Sequence, residues 1–137
     1  MKKIISYLIL FSLPFLIIGC GSGNKNFNQE GYFKNNARNR IFTYSFKSGT
    51  TKQEVKEYAR NLMNTPGRMT AAYFYPEGSL IPRDGVTLAN SMDRVNYVLY
   101  DMPGLNKWRY AYMKYFTGSS EFVDCQESPN HDLCRKN

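Results

Sequence analysis

The chain has 137 residues, with 18 lysines and arginines against 11 aspartates and glutamates, a formal net charge of +7. This length has room for one domain with a core of modest size, so we expect a single domain. The positive charge is spread along the chain, which favours weak attraction to anionic lipid or lipopolysaccharide over a nucleic-acid-binding surface, so we expect no nucleic-acid partner.

Residues 1–19 have the layout of an export signal. Lys2 and Lys3 precede an apolar run from Ile4 to Ile18 that is broken only by two serines and a proline. The run holds fifteen residues, whereas a transmembrane helix needs about 20. We therefore predict a cleaved signal peptide, and its removal leaves 16 basic residues against 11 acidic ones.

The predicted cleavage region reads Ile17-Ile18-Gly19-Cys20. This segment resembles the lipobox of bacterial lipoproteins, with Ile18 where Ala or Ser is usual. The resemblance implies that Cys20 becomes the mature N-terminus and carries covalent lipid: a diacylglycerol thioether, usually with a third chain such as palmitate on its amine. Two or three chains anchor a protein durably, because each buried methylene contributes about 0.8 kcal/mol. The alternative is an ordinary cleaved signal with a coincidental cysteine.

The residue after the cysteine bears on localisation. In the lipoprotein class that the chain resembles, Asp at this position commonly retains the protein in the inner membrane, and here it is Gly21. The resemblance therefore implies an anchor in the outer membrane, with the domain facing the periplasm. A position on the cell surface and a Gram-positive host are alternatives that the sequence leaves open.

The chain beyond the leader divides into a linker and one domain. Residues 21–40 are rich in Gly, Ser, Asn and charge, so we predict a flexible tether over 20–40 and a domain over 41–137. In Ile41–Lys47, aromatic and polar residues alternate, which predicts a strand. Thr51 and Glu54 have capping-box spacing and begin a helix, which Thr65-Pro66-Gly67 ends.

Four further elements are predicted after this helix. Met69–Tyr75 reads as a strand, and Thr87 could cap a second helix whose buried face includes Leu88, Met92, Val95 and Leu99. The last two are strands over Lys107–Phe116 and Glu121–Cys125. The order β-α-β-α-β-β predicts an α+β fold: a small two-layer sandwich with about four strands and two helices on one face. The strand over 107–116 is expected to place four aromatic residues on one face: Trp108, Tyr110, Tyr112 and Phe116.

The cysteine count supports the lipid assignment. An exported protein with three cysteines has one unpaired thiol. If Cys20 carries lipid, Cys125 and Cys134 are free to form a disulfide in an oxidising compartment. The alternative is a zinc site in which His131 joins these two cysteines. We favour the disulfide and predict no metal site.

Candidate catalytic residues are few. Glu121 and Asp124 lie three apart on a predicted strand and should point to opposite faces, while Glu54 is explained by the capping box. The single histidine is His131, and the sequence contains no Gly-x-Ser-x-Gly motif whose serine it could activate as a general base. We therefore predict a non-enzymatic protein with no catalytic residues and no cofactor other than the lipid on Cys20.

Exposed side chains are the remaining candidates for function. Aromatic residues alternating along strands are typical of a sheet's core face, but tyrosine also suits interfaces, and the loop Glu77–Val86 is the first segment to test for contact. The leading hypothesis is a structural or accessory subunit of an envelope assembly, such as a secretion or conjugation apparatus, with a protein partner. The alternative is a lipoprotein that binds peptidoglycan, another glycan or lipopolysaccharide. The candidate contact residues are Tyr73, Tyr75, Arg83, Tyr97, Tyr100 and Tyr115.

Overall fold

Five strands and three short helices make up residues 24–135, the part of the chain that the computed structural model describes. The elements in chain order are β1 (Phe27–Lys34), β2 (Arg40–Phe46), α1 (Lys52–Arg60), β3 (Thr70–Pro76), α2 (Arg83–Thr87), α3 (Met92–Asn96), a π-helical turn (Tyr97–Asp101), β4 (Tyr110–Lys114) and β5 (Ser120–Asp124). The predicted α+β class is confirmed, with five strands rather than four and the order β-β-α-β-α-α-β-β. The signal peptide and Cys20 lie outside the described residues.

The sheet is mixed, and its spatial order β1-β2-β3-β4-β5 follows the chain. Three of the four pairings are antiparallel. The pair β2 and β3 is parallel, with Tyr44 opposite Phe74. Two parallel strands need a crossover connection between them, and α1 provides it.

Helices cover both faces of this sheet, so the prediction of a two-layer sandwich with helices on one face was wrong. On one face, α1 packs Val55 and Ala59 against the aromatic side chains of the central strands. On the other, α2, α3, the π-helical turn and the C-terminal tail pack against Ile41 and Tyr73. All seven residues of β2 are consequently buried, because a strand covered on both faces has no solvent side.

Strand β1 lies in the segment that was predicted to be a flexible tether, and for 27–34 that prediction was wrong. Phe27 and Phe33 are buried, and the Phe27 ring stacks on Tyr58 with centroids 4.1 Å apart. The Glu30 carboxylate pairs with the Arg83 guanidinium at 2.6 Å. The composition of this segment suggested disorder. Two buried aromatic residues and an ion pair are nevertheless enough to hold it as a strand, because the neighbouring strand β2 supplies backbone hydrogen bonds.

The predicted capping box is present at the start of α1. The Thr51 hydroxyl accepts a hydrogen bond from the Glu54 amide at 3.2 Å, and the Glu54 carboxylate accepts one from the Thr51 amide at 2.7 Å. Two amide groups that the helix leaves unpaired are thereby satisfied. The short motif therefore marked the start of α1 correctly.

The predicted second helix is divided into shorter pieces. Thr87 ends α2 and accepts a hydrogen bond from the Tyr32 amide at 3.2 Å, so it does not cap a following helix. Ser91 caps α3 instead, by accepting from the Arg94 amide. Leu88 lies between the two helices and is 78% exposed, which contradicts its predicted place on the buried face.

The last aromatic stripe is also divided. Tyr110 and Tyr112 belong to the core on the α1 face, whereas Trp108 belongs to the core on the α3 face. Trp108 precedes β4, so strict alternation does not extend to it. Phe116 follows β4 in the turn to β5 and is 71% exposed. Alternation predicts a common face only within a continuous strand.

Candidate interaction surface and C-terminal cleft

Tyr73 and Tyr75 were predicted as exposed contact residues, and that prediction was wrong. Both side chains are buried in β3, beneath α3 and the π-helical turn. The Tyr73 hydroxyl is hydrogen-bonded to the Tyr100 hydroxyl at 2.8 Å, and burial raises the pKa of Tyr73 well above its usual value. These rings are core residues because the sheet has no solvent-exposed face at its centre.

Two other tyrosines of the predicted set are partly exposed and already have partners. Tyr100 packs edge-on against Trp108 with ring centroids 5.1 Å apart. The Tyr115 hydroxyl donates to the Glu121 carboxylate at 2.8 Å, and this hydrogen bond raises the pKa of Tyr115. Both hydroxyls thus serve contacts within the domain.

The last two predicted contact residues lie on the exposed side of the helical layer. Tyr97 begins the π-helical turn and is 44% exposed, and Arg83 begins α2. The Arg94 guanidinium lies over the Tyr97 ring, 5.3 Å from its centroid. Leu88 and Arg94 both line a depression of about 460 Å³ beside α2. We call these four residues, Arg83, Leu88, Arg94 and Tyr97, the helical surface.

The chemistry of the helical surface suits contact with a protein. Tyrosine and arginine are enriched at protein interfaces, where each combines a flat apolar body with hydrogen-bonding groups. The Arg94–Tyr97 stack arranges the two side chains in advance, so less conformational entropy is lost on contact. Leu88 adds an exposed aliphatic side chain beside them.

The predicted disulfide joins Cys125, just after β5, to Cys134 in the C-terminal tail, with the two Sγ atoms 2.00 Å apart. It leaves the alternative zinc site without two of its three ligands. His131 instead lies 2.9 Å from the Glu121 carboxylate. Among residues 24–135, no group of three His, Cys, Asp or Glu side chains could hold a metal ion.

The tail carried by the disulfide packs back onto the sheet. The indole nitrogen of Trp108 donates to the Leu133 carbonyl at 3.0 Å, and Leu133 and Cys134 are buried. A cleft of about 340 Å³ lies between this tail and the end of the sheet. We call it the C-terminal cleft. Its lining includes Lys107, Trp108, Arg109, Cys125, Pro129 and Arg135.

One basic residue of this cleft is neutralised within the domain. Arg109 forms a two-point ion pair with Asp124, so the Asp124 carboxylate has a structural partner. Burial raises the pKa of Asp124, but hydrogen bonds from Arg109 and from the Gln126 amide outweigh it, and the net pKa is lowered. An ionised, fully bonded carboxylate of this kind is unsuited to proton transfer.

Sequence reasoning did not select the cleft residues. Lys107 and Arg109 flank the single tryptophan, and Arg135 directly follows the second disulfide cysteine. The available signal was that a disulfide at Cys134 could bring Arg135 close to Lys107 and Arg109. It became visible only once the disulfide loop was placed against Trp108.

No helix among residues 24–135 combines the length and apolar character needed to cross a bilayer. Comparison of the chain with protein-family models, with curated proteins and with solved structures finds no match.

Proposed function

We propose that this chain is a lipid-anchored, non-enzymatic lipoprotein of the bacterial envelope that acts as a structural or accessory subunit of an envelope assembly, such as a secretion or conjugation apparatus. The observation that carries the proposal is the helical surface, where an exposed leucine lies beside a pre-stacked arginine and tyrosine. The sequence Ile17-Ile18-Gly19-Cys20 supports the anchor.

The disulfide supports an envelope location. Disulfides persist in the periplasm and outside the cell, whereas cytosolic thiols are kept reduced. The Cys125–Cys134 pair therefore fits an exported chain, and it agrees with the assignment of Cys20 to lipid. The third cysteine then needs no thiol partner.

The helical surface is held in place by the fold. Ser91 caps α3, and Val95, Val98 and Leu99 anchor α3 and the π-helical turn in the core. Scattered exposed leucines are ordinary on protein surfaces. Leu88 differs because it borders a depression shared with Arg94, next to Tyr97, and such mixed surfaces are typical of contacts with folded partners.

Site-specific photocrosslinking tests the proposal on the full chain in native envelopes. A photoreactive residue at Leu88 should give one discrete protein adduct, and Arg94→Glu should abolish it. The matched control is a photoreactive residue at Gln53, which is exposed on α1, on the opposite face of the sheet. Absence of any adduct from Leu88, or the same adduct from Gln53, would contradict the proposal.

The anchor is tested separately by intact mass spectrometry of native protein. The expected mass corresponds to a chain that begins at Cys20 and carries diacylglycerol and an amide-linked acyl chain. An unmodified thiol at Cys20 would contradict the anchor.

Sedimentation with purified peptidoglycan or lipopolysaccharide, without a protein adduct, would favour the alternative function. The support for that function is reduced because Tyr73 and Tyr75 are buried.

A further inference from the structure

We propose that a pocket lined by three methionines binds a soft monovalent cation, Cu(I), through the thioether sulfurs. The pocket has a volume of about 400 Å³, and its lining includes Met69, Met92 and Met113. We call it the methionine pocket. The proposal does not depend on the function proposed above, and it departs from the expectation of no metal site, which considered cysteine and histidine ligands.

The sheet brings two of these methionines to the same face. Met113 in β4 lies opposite Ala71 in β3, and Met69 precedes Ala71 by two residues. The Met69 carbonyl accepts a hydrogen bond from the Arg40 amide at 3.0 Å, so the pairing of β3 with β2 extends to this residue. Side chains two residues apart on a strand share a face, which makes Met69 and Met113 diagonal neighbours across the strand pair. Long side chains in such positions can meet, and the small Ala71 side chain leaves room between them.

The third methionine comes from the helical layer that covers this face. Met92 begins α3, and the fully buried Val95 holds that helix against the sheet. All three methionines pack against the same core cluster, and all three remain partly exposed. Their side chains therefore border the same accessible space.

Methionine is also a common core residue, because its flexible side chain fills irregular gaps. A methionine that only fills a gap is expected to be fully buried, whereas each of these three retains accessible surface. Residues 24–135 contain five methionines, and three of them line this one pocket. Such convergence favours a binding role over gap filling alone.

The chemistry of the lining specifies the ion. Thioether sulfur is a soft ligand and suits Cu(I), whereas Mg²⁺ and Ca²⁺ prefer oxygen ligands. The exposed Asp101 carboxylate also lines the pocket, and no lysine or arginine of residues 24–135 does. The charge around the pocket therefore favours a cation. The flexible methionine side chains can turn toward a bound ion within this space.

The inner wall of the methionine pocket connects it to a spectroscopic reporter. Tyr73 and Tyr100 line the pocket, and the ring of Trp108 lies 4.5 Å from that of Tyr73 and 5.1 Å from that of Tyr100. Tyr100 belongs to the π-helical turn, and short π-helical segments occur frequently at functional sites. An ion bound in the pocket should therefore change the fluorescence of Trp108, the single tryptophan of the chain.

Titration of the full chain with Cu(I), followed by Trp108 fluorescence, tests the proposal. The acetonitrile complex supplies Cu(I) in the absence of oxygen, so no reductant is needed and the disulfide stays intact. Every protein in the series carries Cys20→Ser, because Cys20 is the one cysteine outside the disulfide and a free thiol would bind Cu(I) by itself. We expect a change that saturates at one Cu(I) per chain.

The pocket variants are Met69→Leu, Met92→Leu and Met113→Leu. Each should weaken Cu(I) binding by at least about tenfold, because loss of even an outer-shell partner of a bound metal costs about 10- to 100-fold in affinity. Leucine is close to methionine in volume, so these variants should fold, and urea unfolding verifies that they do. The matched control is Met63→Leu, at a methionine that is 67% exposed and outside the pocket lining, and its affinity should equal that of the parent.

NMR of isotope-labelled methionine methyl groups gives a second measurement that does not rely on the pocket variants. Cu(I) should shift the methyl resonances of Met69, Met92 and Met113 and leave that of Met63 in place. The proposal is overturned if Cu(I) gives no saturable change, if Met63→Leu weakens binding as much as the pocket variants do, or if the shifts fall on other methionines. Binding of a small apolar ligand in the pocket without binding of Cu(I) would overturn it as well.

Discussion

Arg109 and Asp124 form a two-point ion pair across the ends of β4 and β5. Nε of Arg109 lies 2.8 Å from Oδ1 and Nη2 lies 2.9 Å from Oδ2 of the carboxylate. Oδ1 also accepts a hydrogen bond from the Gln126 amide at 3.0 Å, and the Asp124 carbonyl accepts one from Ser128. Asp124 therefore both ends β5 and shapes the start of the disulfide loop.

Removing this carboxylate should destabilise the domain. The Asp124 side chain is 1% exposed, so Asp124→Asn leaves the Arg109 guanidinium partly buried without its counter-ion. We expect the free energy of unfolding in urea to fall by about 2 to 3 kcal/mol. The control is Glu127→Gln, which removes an exposed partner of Lys52 and should leave the free energy of unfolding nearly unchanged, because solvent screens an exposed ion pair. Equal losses in the two variants would contradict this account.

The same ion pair predicts a dependence of stability on acid. The pKa of Asp124 is lower in the folded protein than its usual value of 3.8. Its contribution to stability is thus complete above pH 3.8 and is lost as the pH falls through the lowered folded pKa. The free energy of unfolding in urea should therefore fall more steeply with decreasing pH for the parent than for Asp124→Asn. Parallel profiles would show that other carboxylates dominate.

Loss of the disulfide should loosen the tail. The cysteines are nine residues apart, and the double substitution Cys125→Ser and Cys134→Ser should lower the free energy of unfolding by about 2 to 3 kcal/mol, on the chain-entropy account. Trp108 donates to Leu133 within this loop, so its fluorescence should shift to longer wavelength. The parent under reducing conditions should match the double variant. An unchanged spectrum in both would contradict the prediction.

Gly31 in β1 should not tolerate a side chain. A Cβ at this position would lie 2.7 Å from the Thr43 hydroxyl, 3.2 Å from the Arg83 carbonyl oxygen and 3.2 Å from Val86. Because α2 packs directly on β1 there, Gly31→Ala should destabilise the domain by about 1 to 3 kcal/mol. Asn28→Ala, at an exposed site on the same strand, is the control and should change stability by less than about 0.5 kcal/mol. Thermal unfolding of the two variants distinguishes them.

Local signals in the sequence predicted several elements correctly. The capping box at Thr51 and Glu54 marks the start of α1, and alternating aromatic residues mark β2. In each case the information lies within a few neighbouring residues. The Cys125–Cys134 pairing was also predictable, since assigning Cys20 to lipid left only these two cysteines.

The predictions from sequence were wrong where a residue's surroundings depend on segments that are distant in the chain. The sequence pattern predicted that Tyr73 and Tyr75 are exposed, but α3 and the π-helical turn cover both side chains. The region 27–34 resembles a linker, but β2 offers it hydrogen bonds and α2 packs against it. Leu88 has helical spacing with Val95, yet Thr87 bonds to β1 and the helix ends there.

The sequence by itself determined the α+β class, the start of α1, the positions of the central strands and the identity of the disulfide partners, because propensity, capping and cysteine count act over short stretches of chain. The end of α1 was not among them, since the helix stops at Arg60, before the predicted stop at Thr65-Pro66-Gly67. Only the tertiary structure decided that β1 joins the sheet, that helices cover both faces, and that the C-terminal tail packs against Trp108. Those arrangements depend on packing between residues far apart in sequence, where burial and backbone pairing override local pattern.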